Sequence, residues 1–153
     1  MTEIWYFAYG WSLEKSLMKK CIGEWLDARK AELKGFKIVF DAYSASWRGG
    51  VANLEEDEAS KVYGVAYKIT SEQLQKLDRF EGVPRRAARI GVEIYVEGIG
   101  EVRAMTHIAA NPRRSLVFPS KQYLSAMLKG AKQHGLGEEA LKVIRKASGS
   151  TIP

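Results

Sequence analysis

The sequence predicts an α+β protein in which a mixed β-sheet or partly closed barrel carries helices at its edges. Strand-like patterns fill most of the first two-thirds of the chain, and helical patterns with clear cap residues fill the tail. Strands and helices that are segregated along a chain in this way are typical of α+β folds. No repeat or low-complexity stretch divides the 153 residues, so a single domain over residues 1–153 is expected.

The first predicted element is a strand over residues 4–9, which is almost wholly apolar, as in a strand buried on both faces. Gly10 ends this strand, and a short helical stretch over residues 13–20 follows. A strand that stops at glycine before a helix presents free backbone N–H groups, which suit an anion such as a carboxylate. This turn is therefore a candidate binding site, and its residues are Tyr9, Gly10, Trp11, Ser12 and Leu13.

The next segments are predicted as short strands separated by turns. Strands are expected at residues 28–33, 36–40, 51–54 and 62–69. The dipeptide Lys34-Gly35 is predicted to form a hairpin turn between the first two of them. Residues 43–50 contain small and polar side chains with a Gly-Gly pair, which predicts a loop, and the acidic residues 55–60 predict a turn.

A helix over residues 70–81 has the clearest boundaries in the chain. Thr70 followed three residues later by Gln73 has the pattern of a capping box, and Gly82 stands where a glycine ends a helix. Strands are expected after it at 89–96 and 102–109. A helix from the Ser120 cap to Gly135 and a last helix over 138–146 complete the prediction.

Glu81 is the candidate acid/base residue. Leu74, Leu77 and Glu81 share one face of the predicted helix, so the carboxylate is expected to point toward apolar surroundings. Burial and the negative end of the helix dipole both disfavour its charged form, and both raise its pKa toward the range useful for proton transfer. The alternative is a glutamate at a helix end that points into solvent.

Other kinds of chemistry find little support. The histidines His107 and His134 lie far from each other and from the single cysteine, Cys21, so no metal site is predicted. Cys21 is interpreted as a packed structural thiol. The net charge of +6 is dispersed and no nucleic-acid-binding motif accompanies it, so neither a nucleic-acid nor a membrane partner is expected. No secretory or membrane-spanning pattern is present, and a cytoplasmic location is expected.

Five segments, taken in order, resemble the γ-glutamylcyclotransferase-like family. Residues 6–10 (Tyr-Phe-Ala-Tyr-Gly) resemble the opening of its Tyr-Phe-Ala-Tyr-Gly-Ser-Asn-Leu signature. Residues 77–84 (Leu-Asp-Arg-Phe-Glu-Gly-Val-Pro) resemble the stretch that bears the family's catalytic glutamate. The other three matches are 47–52 (Trp-Arg-Gly-Gly-Val-Ala), 62–65 (Val-Tyr-Gly-Val) and the tail pattern over 119–123 and 130–136.

This resemblance implies a γ-glutamylcyclotransferase-like fold, a mixed β-barrel with flanking helices, and a reaction that needs no cofactor. The α-amine of a γ-glutamyl group attacks its own γ-carbonyl and releases 5-oxoproline and a free amine. Glu81 would carry the proton from the ammonium to the leaving amine. The backbone over residues 10–13 would hold the glutamyl group, with Tyr9 and Tyr123 lining the pocket. The expected partner is a small γ-glutamyl substrate, and the expected assembly is a monomer or a homodimer.

The sequence departs from the family pattern at three places. Trp11-Ser12 stands where the signature has Ser-Asn, and Ala87-Ala88 stands where relatives carry one or two tyrosines. In the tail, Gly137 and Ala140 stand where relatives often have another tyrosine. Retention of Glu81 favours an active cyclotransferase, whereas the departures favour a protein that keeps the fold and binds a small molecule or a protein. A basic nucleic-acid-binding module is the third hypothesis, which salt-dependent binding would identify.

Overall fold

A closed five-stranded barrel forms the centre of the molecule in the computed structural model, which describes residues 2–150. Its strands are β1 (Glu3–Ala8), β2 (Asp27–Ser44), β3 (Gly49–Thr70), β4 (Ala87–Val96) and β5 (Gly100–Ala109). Around the barrel they follow the order β1-β3-β2-β4-β5. Neighbouring strands are antiparallel except β1 and β5, which close the barrel in parallel where Tyr6 pairs with Met105. The predicted mixed barrel of α+β class is confirmed.

Helices lie outside the barrel. They are α1 (Lys15–Ile22), α2 (Ser71–Glu81), α3 (Lys121–Gln133) and α4 (Glu138–Ala147), and one turn of 3₁₀ helix (Trp11–Leu13) precedes α1. The capping box predicted for Thr70 and Gln73 is formed, and Gly82 ends α2 with a φ of 81°. The helix predicted over 13–20 is instead divided between the 3₁₀ turn and α1. Within residues 2–150, none of the helices combines the length and the apolar character that crossing a membrane requires.

The hairpin predicted at Lys34-Gly35 is wrong, because β2 runs through both residues without turning. Residues on both sides of the glycine pair with β3, and the register shifts between Lys34 and Phe36. Gly35 has a φ of 85°, which a glycine adopts without strain. The glycine therefore marks a bulge within a long strand, whereas the true hairpin turn lies at residues 45–48.

The acidic turn predicted over residues 55–60 is also wrong, since these residues belong to β3. Glu55 pairs with Lys37 across the two strands, and their side chains form an ion pair of 3.3 Å. Opposite charges on facing strands stabilise a sheet, so here acidic residues are compatible with a strand. The predicted loop over 43–50 shrinks to the four-residue turn, because β2 extends to Ser44 and β3 begins at Gly49.

The outer parts of β2 and β3 project beyond the barrel as a two-stranded arm. We call residues 36–44 and 49–56 the β2–β3 arm. The strand β1 pairs with β3 only between Val65 and Thr70, and β4 pairs with β2 only at Ala31 and Glu32. Neither β1 nor β4 therefore pairs with the arm.

Other contacts hold the arm against the rest of the molecule. The backbone N–H of Ala109 at the end of β5 donates to Asn53 Oδ1 over 2.9 Å. The segment before α3 crosses the arm, where Val117 N donates to the Phe40 carbonyl over 2.7 Å and Gly50 N donates to the Phe118 carbonyl over 2.8 Å. A Cβ atom at position 50 would collide with the Val117 carbonyl, so this close crossing requires glycine.

Candidate active site

A pocket of about 180 Å³ lies between the β2–β3 arm and one edge of the barrel. The barrel side is formed where β1 and β5 end, where α2 ends and where β4 begins, and α3 contributes Tyr123. The volume is below the ~300–1,000 Å³ of pockets that enclose drug-sized ligands, and it suits a group about the size of one amino acid.

Six of the seven site residues predicted from the sequence line this pocket: Tyr9, Gly10, Trp11, Ser12, Glu81 and Tyr123. They come from three separate parts of the chain, and the fold brings them together. Leu13 does not line the pocket. Its side chain is fully buried in the core, and its N–H donates to the Gly10 carbonyl over 3.1 Å.

The turn after β1 is held in place from two sides. The Tyr123 hydroxyl accepts a hydrogen bond from Ala52 N over 3.1 Å, and a Cβ atom at position 10 would lie 2.5 Å from this hydroxyl, so Gly10 lets the phenol approach. On the other side, a Cβ atom on Gly130 would collide with the backbone of Leu13. Two glycines therefore allow α3 to pack directly against the turn.

Glu81 lies at the last residue of α2, with its carboxylate directed into the pocket. The indole Nε1 of Trp11 donates to Glu81 Oε1 over 2.9 Å. Burial raises the pKa of Glu81, which the Trp11 hydrogen bond and the charges of His107 and Arg86 partly oppose. The shift has the direction that the helix-face pattern predicts, so proton exchange occurs closer to neutral pH than for a solvated glutamate.

A hydrogen-bonded network centred on His107 was missed by the sequence analysis, which considered this histidine only as a metal ligand. His107 Nε2 lies 2.7 Å from Asp78 Oδ1 and its Nδ1 lies 2.7 Å from the Tyr6 hydroxyl. The Tyr9 hydroxyl donates to the His107 carbonyl over 2.6 Å, and Arg89 pairs with Asp78 at 3.6 Å. One signal was available, because Asp78 precedes Glu81 by three residues and so shares its side of α2.

The pocket contains one acidic and one permanently cationic side chain among the described residues that line it. Glu81 supplies a carboxylate and Arg86 supplies a guanidinium. A pocket with one acid and one permanent cation is complementary to a zwitterionic α-amino acid group. Of the two alanines noted in the sequence, Ala87 lines the pocket, whereas Ala88 is not among its lining residues.

A second network supports the turn from behind. The Tyr67 hydroxyl donates to the Ser12 carbonyl over 3.1 Å and lies 3.0 Å from His134 Nε2. Burial lowers the pKa of His134 to about 4, so the imidazole is neutral at physiological pH. Within residues 2–150, no cluster of three or more histidine, cysteine or acidic side chains is arranged to hold a metal ion.

Known proteins are similar to this chain in both sequence and fold. Residues 61–143 match the model of the AIG2-like family. The chain is 31% identical over 144 residues to a γ-glutamylcyclotransferase from Bos taurus, an alignment that covers 90% of this chain and 74% of that protein. It is 30% identical over 151 residues to a γ-glutamylcyclotransferase from Homo sapiens, covering 91% and 77%. A solved structure of a γ-glutamyl cyclotransferase superposes with a TM-score of 0.86 at 26% identity, covering 94% of this chain and 87% of that chain.

Proposed function

Because the chain belongs to the γ-glutamylcyclotransferase-like (AIG2-like) family, we propose that it converts a γ-glutamyl amine or peptide to 5-oxoproline and a free amine. The observation that carries the proposal is Glu81, a partly buried carboxylate of raised pKa directed into a pocket of amino-acid size. Such a carboxylate accepts and returns a proton near neutral pH, which is what the cyclisation requires.

The substrate is proposed to bind through its α-amino acid group. The guanidinium of Arg86 faces the α-carboxylate, and the carboxylate of Glu81 faces the α-ammonium. The Trp11 N–H of the turn already donates a hydrogen bond to the Tyr123 hydroxyl, so the N–H groups of Gly10 and Ser12 face the γ-carbonyl oxygen, where negative charge develops during attack. Enclosure of the flexible glutamyl chain in a small pocket favours its folded form, so orientation supplies much of the rate.

The reaction proceeds by proton transfer and ring closure. Glu81 takes a proton from the α-ammonium, and the freed amine attacks the γ-carbonyl carbon, forming the new C–N bond of a five-membered ring. The tetrahedral intermediate collapses as Glu81 returns the proton to the leaving nitrogen and the original amide C–N bond breaks. The second proton of the ring nitrogen passes to the released amine, which leaves as an ammonium. The Trp11 indole holds Oε1 throughout, which leaves Oε2 for the substrate. The carboxylate is regenerated, and the cycle consumes no cofactor.

Replacement of Glu81 tests this proposal. The variant Glu81→Gln keeps the shape of the side chain but accepts no proton, so we expect 5-oxoproline release from γ-glutamyl dipeptides to fall by at least ~100-fold. The matched control is Glu72→Gln, which changes an exposed glutamate on the same helix and leaves turnover near that of the wild type. Substantial turnover by a folded Glu81→Gln protein would remove Glu81 from the mechanism.

A second candidate function is binding of a γ-glutamyl ligand without turnover. One observation favours it, since the Trp11 indole already occupies one oxygen of Glu81. Calorimetry separates the two functions, because a binding protein would release heat with a γ-glutamyl dipeptide and form no 5-oxoproline. A cytosolic location and a monomeric or homodimeric state stay predictions that fractionation and analytical ultracentrifugation test.

A further inference from the structure

A groove lies beside the pocket on the outer side of α1 and α2. Its volume is about 670 Å³, and it shares three aromatic side chains with the pocket, those of Trp11, Trp47 and Phe80. Because the same side chains line both spaces, the groove lies directly next to the pocket. The groove is therefore placed to receive whatever part of a substrate extends beyond the glutamyl group.

The groove is basic. Lys20 of α1 and Lys76 and Arg79 of α2 line it, and none of the described residues that line it is acidic. Within residues 2–150, none of these three cations forms an ion pair with a carboxylate. The adjacent Lys19, which lies outside the groove, is paired with Glu24 at 3.3 Å. Of the four cations of α1 and α2 that form no ion pair with a described carboxylate, three therefore line the groove, and only Lys15 at the start of α1 lies outside it.

The groove also contains the side chain of Cys21. Burial raises the pKa of its thiol, and the negative charge of Glu81 raises it further, so the thiol form prevails at neutral pH. The groove is therefore suited to binding rather than to covalent chemistry. Its aromatic wall and its cations together fit a ligand that combines apolar atoms with negative charges.

We propose that this groove is the subsite for the leaving amine, and that it selects γ-glutamyl substrates whose leaving amine carries two or more carboxylates. The inference rests on the proposed cyclotransferase function and names a substrate class for it: γ-glutamyl derivatives of acidic amino acids and acidic peptides. A single carboxylate needs one cationic partner, whereas the groove offers three at separate positions on two helices. Arg86 in the pocket remains available for the carboxylate of the glutamyl group itself.

The test compares γ-glutamyl-glutamate with γ-glutamyl-glutamine, which have nearly the same shape but differ by one carboxylate in the leaving amine. Exposed ion pairs contribute modestly, so we expect each groove cation to raise kcat/KM for the acidic substrate by about two- to fivefold. The wild type should prefer γ-glutamyl-glutamate, and added salt should reduce the preference. The variant Lys76→Gln combined with Arg79→Gln should bring the two kcat/KM values close together. The matched control, Lys19→Gln, should leave their ratio unchanged.

Two results would overturn the inference: equal kcat/KM values for the two dipeptides in the wild type, or a preference that the double variant keeps. If the proposed cyclotransferase function itself is wrong, the result is distinguishable from these two, because neither dipeptide then releases 5-oxoproline. In that case the same dipeptides and variants are compared by isothermal titration calorimetry. Tighter binding of γ-glutamyl-glutamate that depends on Lys76 and Arg79 supports the subsite without turnover, and equal binding rejects it.

Discussion

Trp11, one of the residues that depart from the signature pattern, contacts the candidate acid/base residue directly. Its indole N–H donates to Glu81, and its ring packs on Phe80 with the ring centroids 4.7 Å apart. A neutral donor of this kind stabilises the carboxylate form without competing for the proton, because an indole nitrogen accepts none. Trp11 thus offsets part of the effect that burial has on the pKa of Glu81.

The variant Trp11→Phe tests this role. Phenylalanine keeps an aromatic ring beside Phe80 but donates no hydrogen bond, so the pKa of Glu81 should rise further above its ordinary value. A hydrogen bond to a charged group contributes ~1.5–3 kcal/mol, which corresponds to a shift of about 1–2 pH units. We expect the acid limb of the kcat/KM profile to move to higher pH by that amount. The variant Trp5→Phe, outside the pocket, serves as the control, and an unmoved limb in Trp11→Phe would contradict the assigned role.

Glu81 and His107 show which kinds of site residue can be identified from the sequence. Glu81 was identified because helical periodicity placed it beside Leu74 and Leu77, a local pattern that needs no knowledge of the fold. His107 was not identified, because its partners Asp78 and Tyr6 lie 29 and 101 residues away in the chain. Only the pairing of β1 with β5 and the packing of α2 bring the three together. Local periodicity reveals which side faces the core, but not which distant polar groups meet there.

Among the elements, α3 supports the turn after β1 through its glycine and its C-terminal histidine. Gly130 allows the helix to contact the backbone at Leu13, and His134 at the helix end meets Tyr67 of β3. The Tyr67 hydroxyl in turn donates to the Ser12 carbonyl. The position of the turn therefore depends on an imidazole that the fold keeps neutral.

This dependence predicts an acid-sensitive stability. Burial lowers the pKa of His134 to about 4 in the folded chain, whereas an unfolded histidine titrates near ~6.5. As the pH falls between these values, the unfolded chain takes up a proton that the folded chain does not, so the free energy of unfolding decreases. His134→Gln keeps a polar partner for Tyr67 and lacks this titration. We expect the Tm of the wild type, relative to that of His134→Gln, to decrease from pH 7 to pH 4.5.

Thermal melts of both proteins in buffers across this pH range make the measurement. The raised pKa of Glu81 acts in the opposite direction, because the unfolded carboxyl releases its proton at lower pH than the folded one. Both proteins contain Glu81, so its contribution cancels in the difference. A Tm difference that stays constant with pH would show that His134 is protonated equally in the folded and unfolded states.

Element boundaries were predicted well where caps define them and poorly where strand pairing does. The capping box at Thr70 and the glycine at position 82 locate α2 from neighbouring residues alone. In contrast, the bulge at Gly35 has the same local sequence signal as a hairpin turn. What distinguishes the two is whether the chain on both sides pairs with the same third segment, and that is a long-range property.

At the scale of the whole molecule, the site lies between the barrel and the β2–β3 arm, and the barrel strands have more paired neighbours than the arm strands. The barrel surrounds β1 with paired strands on both sides, and its residues Phe7, Val65, Ala66 and Tyr67 are fully buried. The β2–β3 arm pairs with no further strand, and it is held by the crossing segment before α3, the Asn53 hydrogen bond and the hydrogen bond from Ala52 N to the Tyr123 hydroxyl. The α+β class followed from the order of elements along the chain, but the parallel closure of β1 on β5 carries no local signal.

This difference in support predicts two levels of hydrogen-exchange protection. Amides of β1 and of residues 62–69 in β3 should exchange only by global unfolding, whereas amides in the arm should exchange by a smaller opening. Native-state hydrogen exchange followed by mass spectrometry at low denaturant concentrations measures both. Identical opening free energies for arm and barrel would show that they unfold as one cooperative unit.

The register shift at Gly35 has a consequence for how such a molecule diversifies. Strand pairing resumes in a new register on the far side of the shift, so a residue inserted into or deleted from the arm does not alter the pairs inside the barrel. The arm supplies one wall of the pocket, while Glu81 and the turn after β1 belong to the other side. Proteins that descend from one ancestor can therefore change the arm, and with it one wall of the pocket, and keep Glu81 and the turn after β1 unchanged.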